Sequence, residues 1–105
     1  MITVSETQAF IRSTDFWSDE ERAAFIDWIA AHPDAGDLIV GSGGLRKVRW
    51  RRKGMGKSGG ARIITYYVMD DGTVWLLIGY TKAKFDNLST TFLTQLRKEI
   101  EHGRS

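Results

Sequence analysis

The chain has 105 residues, a formal net charge of +2, 42% hydrophobic and 27% charged residues. This balance is that of an ordinary globular protein, read as one domain over 1–105, with no run of about 18 apolar residues to span a membrane and no leader-like start. Cysteine is absent and only two histidines occur, His32 and His102, which excludes disulfides and thiolate chemistry, speaks against a zinc site or histidine triad, and fits a cytoplasmic protein with no metal or cofactor.

Ile2–Val4 reads as a short strand, and Thr7 to Trp17 carries no clear period. Ser18-Asp19-Glu20-Glu21 predicts a helix start, with Ser18 as cap, Glu21 completing a capping box and three acids facing the helix dipole. Ala24, Phe25, Trp28 and Ile29 continue at helical spacing, and His32-Pro33 ends the run. Asp34–Gly44 reads as a glycine-rich connection. Leu45–Arg52 predicts a strand with Val48 and Trp50 on one face and Lys47, Arg49 and Arg51 on the other. Lys53–Gly60 is a loop with four glycines. Ala61–Met69 reads as a second strand, Asp70-Asp71-Gly72 as a hairpin turn, and Val74–Tyr80 as a third strand apolar on both faces. Asn87 or Ser89 starts a last helix with Phe92, Leu93, Leu96 and Ile100 on its apolar face. The expected class is α+β, in β-α-β-β-β-α order, with a largely antiparallel sheet packed by helices.

The small net charge conceals a strong asymmetry. Residues 1–40 carry two cations against eight acids, residues 41–68 carry eight cations and no acid, and residues 69–105 carry five of each. The basic block is interleaved with Val48, Trp50, Ile63, Ile64, Tyr66 and Tyr67, which belong in a sheet rather than in a disordered arm. A basic, strand-borne face points to a polyanion, with a merely solvated surface as the plain alternative.

Two phosphate motifs in the glycine loop fail on context. Gly54-Met55-Gly56-Lys57-Ser58-Gly59 matches the spacing of a dinucleotide fingerprint, but a strand and not a helix follows it. Gly56-Lys57-Ser58 echoes a P-loop, yet Arg51 stands where its first glycine belongs. The glycines serve the turn between two strands.

The chemistry left to this composition is a fixed cationic cluster with phenols nearby. Lys47, Arg49 and Arg62 fall on adjacent strands, and arginine forks bind phosphate bidentately. Arg46, Arg51, Arg52, Lys53 and Lys57 extend the footprint for RNA, and Tyr80 and Tyr66 offer a proton or a stacking face. Such a site can bind RNA, or cleave it without a metal, the substrate's 2′-hydroxyl attacking the adjacent phosphate while the protein orients it and stabilises charge. Lys47, crowded by Arg46 and Arg49, is the first choice of base, because like charge favours a neutral amine. Lys82 and Lys84, past the third strand, are candidates for the acid. Trp17, Trp28 and Trp75 read as core, and Trp50 as core or as a base-stacking ring.

Three stretches together resemble the HigB branch of the RelE/ParE toxins: Pro33-Asp34-Ala35-Gly36-Asp37, Gly41 to Arg49, and Gly54 to Tyr66. The run Tyr80-Thr81-Lys82 onward to Leu88 is similar too. The resemblance implies a small RelE-like domain and a bacterial type II toxin. It further implies ribosome-dependent cleavage of mRNA giving a cyclic phosphate and a 5′-hydroxyl. A cognate antitoxin is implied as partner, of helix-turn-helix type, through which alone the toxin meets operator DNA. Lys47 and Arg49 match the paired basic residues of the family's second strand, and Arg62 the arginine opening the next. The family's later arginine and helical tyrosine have no direct counterpart, since the chain reads Lys82-Ala83-Lys84-Phe85 with no tyrosine after Tyr80. A non-catalytic RelE/ParE-fold protein, a gyrase poison or nucleic-acid binder, is the competing expectation.

Overall fold

The computed structural model describes residues 1–51, 60–81 and 88–104. Its elements are β1 (Thr3–Glu6), α1 (Gln8–Ser13), α2 (Asp19–Ala31), β2 (Asp37–Leu38), β3 (Arg46–Trp50), β4 (Ala61–Val68), β5 (Thr73–Thr81) and α3 (Thr90–Arg104). The strands form one sheet in the order β1-β5-β4-β3-β2. All neighbours are antiparallel except β1, which runs parallel to β5. The α+β class and the elements expected from 18 onward are present. Two elements are additional, α1 and the two-residue β2, and the sheet is mixed. The third predicted strand, β5, lies inside the sheet but beside its middle strand, β4.

Side-chain caps set the helix ends. Thr7 Oγ1 accepts from Phe10 N at 3.0 Å and donates to the carbonyls of Leu76 and Leu77, both at 3.0 Å, so one hydroxyl starts α1 and ties it to β5. Ser18 Oγ accepts from Glu21 N at 3.1 Å, as the capping sequence requires. His32 caps the C-terminus of α2 just ahead of Pro33. Ser89 Oγ accepts from Phe92 N at 3.1 Å, which selects Ser89 as the start of the last helix; Asn87 lies outside the described residues.

Apolar side chains fill both faces of the sheet. On one, α1 and α2 bury Phe10, Trp17, Phe25 and Ile29 against Val48, Ile63, Val74 and Leu76. Phe25, fully buried, has Trp50 at 5.2 Å, Trp17 at 5.5 Å and Trp28 at 6.4 Å between ring centroids. On the other face α3 lays Leu93, Leu96 and Ile100 over Leu45, Ile64 and Leu77. Each such large side chain contributes about 1.5–3 kcal/mol through burial.

One irregularity decides how β5 meets its neighbour. Thr65 pairs with Leu76 and Ile64 with Ile78, which leaves Leu77 as an extra residue, a β-bulge. Leu77 and Ile78 consequently both pack on the α3 side. Every residue after Leu77 is shifted by one position, and a one-residue shift exchanges the faces.

At the outer edge of β5, beyond the end of β1, α1 takes over. Gly79 N donates to Ser13 Oγ at 2.9 Å. A Cβ on Gly79 would run into Thr14 Cγ2, so only glycine lets α1 approach this closely.

Candidate nucleic-acid interface

The register brings Arg49, Arg62 and Tyr80 into one row across β3, β4 and β5, each directly opposite the next. Lys47, Ile64 and Ile78 form the row beside it. Ile64, Ile78 and Tyr80 pack with the α3-side core, and strand alternation places Lys47, Arg49 and Arg62 on that same face. Directly opposed residues in an antiparallel pair have Cβ atoms about 4.5–5.5 Å apart. The two guanidinium-bearing chains therefore start side by side, with the Lys47 ammonium based one pleat repeat away. Arg49 is exposed, and Lys47 and Arg62 are half-buried.

Two arginines facing each other across a ladder repel, and the arrangement is relieved when an anion sits between them. A phosphate accepts from both forks at once and shares its charge with a lysine alongside. Of the acids in the first forty residues, Asp19, Glu20 and Glu21 form the first turn of α2, which packs on the opposite face, whereas Asp37 stands opposite Lys47 in the register and Asp15 lies at the β5 edge.

The other expected site residues divide. Arg46 alternates with Lys47 and shares the face of Val48, and its Nη1 donates to Gly36 O at 3.2 Å. It therefore lies on the opposite face from Lys47, Arg49 and Arg62 and does not join their cluster. Gly36 makes the approach possible, with φ +93° and a backbone so near β3 that a Cβ would sit 2.6 Å from Lys47 O. Arg51 is exposed at the end of the cationic strand. Trp50 also faces away, half-buried against Phe25 and against Trp28 at 5.5 Å, so it does not stand with the cationic row. Trp17 is core as expected, while Trp28 and Trp75 are half-buried at the margins of the two cores. Tyr80 is 3% exposed, which leaves no ring face for a base. Tyr66 is half-buried beside Gly44 on the α3 face. Arg52, Lys53, Lys57, Lys82 and Lys84 lie outside the described residues, as does Gly54–Gly59.

The Arg49–Arg62–Tyr80 row runs on into a cleft at the β5 edge of the sheet, lined by Arg12, Ser13, Asp15 and Phe16 together with Ile78–Thr81. The sequence gives no signal for it. Thr7–Trp17 has no clean period, and its ordering depends on Thr7 and Ser13 bonding to a strand about 65–70 residues away. Among the described residues no three His, Cys, Asp or Glu side chains gather to hold a metal ion, and no helix is long and apolar enough to cross a membrane.

No protein-family model matches the chain. Among solved structures it is similar to a mutant of the E. coli toxin RelE in the free state, with a TM-score of 0.61 over 91% of this chain and 96% of that one, at 9% sequence identity. The fold is RelE-like. At 9% identity the likeness concerns the backbone, and the cationic row is argued from this chain's own residues.

Proposed function

We propose that this protein is the toxin of a bacterial type II toxin–antitoxin module, of the HigB-like branch, acting in the cytoplasm as a single-domain, metal-independent, ribosome-dependent mRNA endoribonuclease. The observation that carries the reading is the cross-strand opposition of Arg49 and Arg62, with Lys47 on the same face. The RelE-like fold supports it.

In the proposed reaction Lys47 is the base that takes the proton of the substrate's 2′-hydroxyl. That oxygen bonds to the adjacent phosphorus, and the bond from phosphorus to the 5′-oxygen breaks. Arg49 and Arg62 hold the non-bridging oxygens as charge develops on them. The leaving 5′-oxygen receives a proton, for which Lys82 and Lys84 are the candidates, and the products are a 2′,3′-cyclic phosphate and a 5′-hydroxyl. No oxidant, metal or cofactor enters this balance. A cognate antitoxin of helix-turn-helix type is the proposed partner, restraining the toxin and carrying it to operator DNA, and the ribosome supplies the mRNA in a fixed path.

The test is induced expression in bacteria with mapping of mRNA 5′ ends, wild type beside Arg62→Ala. Growth arrest with new cuts in translated messages is expected, and both are lost in the variant, because one charge-stabilising donor is worth on the order of 100-fold or more in rate. Arrest without cuts would identify instead a contact poison, of the kind that binds gyrase. No arrest would leave a nucleic-acid binder.

A further inference from the structure

The cleft at the end of the row has a chemistry of its own. It measures about 270 Å³, close to the low end for ligand clefts and suited to one ring system rather than to a folded segment. Its floor is rigid. Ser13 Oγ accepts from Gly79 N at 2.9 Å and donates to Phe10 O at 3.1 Å, which locks α1 to the strand. Phe16 keeps 42% of its surface exposed and is braced edge-on by Trp17 at 5.8 Å. Arg12 and Asp15, both exposed, add a donor fork and a carboxylate acceptor to the same lining.

The cleft is also in the right place. Tyr80 belongs both to its wall and to the row that contains Arg62. Strands lie about 4.8 Å apart, so the cleft is about 10 Å from β4, within reach of a nucleotide next to one whose phosphate is held there.

The geometry points to a nucleobase subsite, in which Arg12, Asp15 and Phe16 hold a guanine next to the phosphate gripped by Arg49 and Arg62. The inference rests on the RNA reading of that face. Proteins read single-stranded RNA by laying unstacked bases on aromatic rings and hydrogen-bonding their edges. Guanine alone offers O6 and N7 together to an arginine fork, while its N1–H and N2–H donate to a carboxylate. Adenine puts a donor where the arginine needs an acceptor. Uracil and cytosine lack the second ring that spans from the one side chain to the other.

The experiment is a titration of the full chain, followed by backbone amide shifts, with four 2′-O-methyl trinucleotides that differ only in carrying G, A, C or U at the centre. All four are expected to move the amides of Val48–Trp50 and Arg62. The G oligomer alone is expected to move Ser13, Phe16, Gly79 and Thr81, and to bind about tenfold more tightly than the A oligomer. In Phe16→Ala and Arg12→Ala, whose unliganded spectra check the fold, that preference disappears while the response around Arg62 stays. Silence at Ser13 and Thr81 with a response around Arg62 overturns the subsite and leaves the anion site standing. Equal shifts at Thr81 with all four bases overturn the guanine assignment. Silence everywhere overturns the RNA reading, and the subsite with it.

Discussion

Tyr80 stands directly opposite Arg62, and it does so only because Leu77 is an extra residue in β5. Without the bulge the pairing that starts at Val68 and Thr73 would set Arg62 against Gly79 and carry Tyr80 to the α1–α2 face. The bulge re-aims the strand end, gives α3 two consecutive apolar residues to cover, and puts Gly79 where α1 can close on it.

Opposed like charges lower stability, so the site works against the fold that carries it. Arg49→Gln is expected to raise stability by up to about 0.5 kcal/mol at low salt, seen as a higher urea midpoint, while weakening RNA binding. The gain fades as salt rises and the Debye length falls. A midpoint that is unchanged at low salt would mean that the two side chains diverge from their opposed positions.

Neighbours in sequence, Arg46 and Lys47 sit on opposite faces, and cleavage distinguishes them. Lys47→Ala is expected to lose on the order of 100-fold in rate, as for loss of a general base. Arg46→Ala stays near wild type, because its guanidinium serves the Gly36 carbonyl. Equal losses in a primer-extension assay would contradict the face assignment.

At Gly79 the close packing of α1 is open to a double-mutant cycle. Gly79→Ala drives a methyl into Thr14 Cγ2 and is expected to cost about 1–3 kcal/mol. Thr14→Ser removes that methyl and keeps the hydroxyl that donates to Phe10 O at 2.7 Å. The double variant should recover part of the loss, a favourable coupling read by denaturant unfolding. Additive effects would place the strain elsewhere.

Ser18 gives the plainest expectation. Ser18→Ala removes the hydroxyl that accepts from Glu21 N and should cost about 1 kcal/mol, whereas Ser18→Gly costs only a few tenths. Equal losses in the two variants would show that the serine hydroxyl is not the cap.

Much of this was legible in the residues because the relevant physics is local. Alternation alone puts Lys47 and Arg49 on one face, and the Ser18 cap, the His32-Pro33 stop and the hairpin at Asp70–Gly72 each depend on a few adjacent residues. What escaped depends on distant partners. A run of six residues such as α1 has too few turns to show a period, and its cap also bonds to β5. The two residues of β2 are a strand only because Lys47 and Arg46 lie beside them. The place of Tyr80 hinges on the bulge, which no pattern of apolar residues announces.

The β1–β5 pairing has a consequence for when the molecule comes into being. Thr3 lies against Thr73, and Thr7 Oγ1 bonds to Leu77 O across 70 residues of chain. During synthesis the first strand has no neighbour until most of the chain has been made, and α1 has no edge on which to settle. Contacts of such long range make folding slow compared with that of a helical bundle. A growing chain therefore has neither the row of cations closed by Tyr80 nor the cleft beside it until the last strand arrives, so the surface that would engage RNA matures only after the ribosome has passed Thr81.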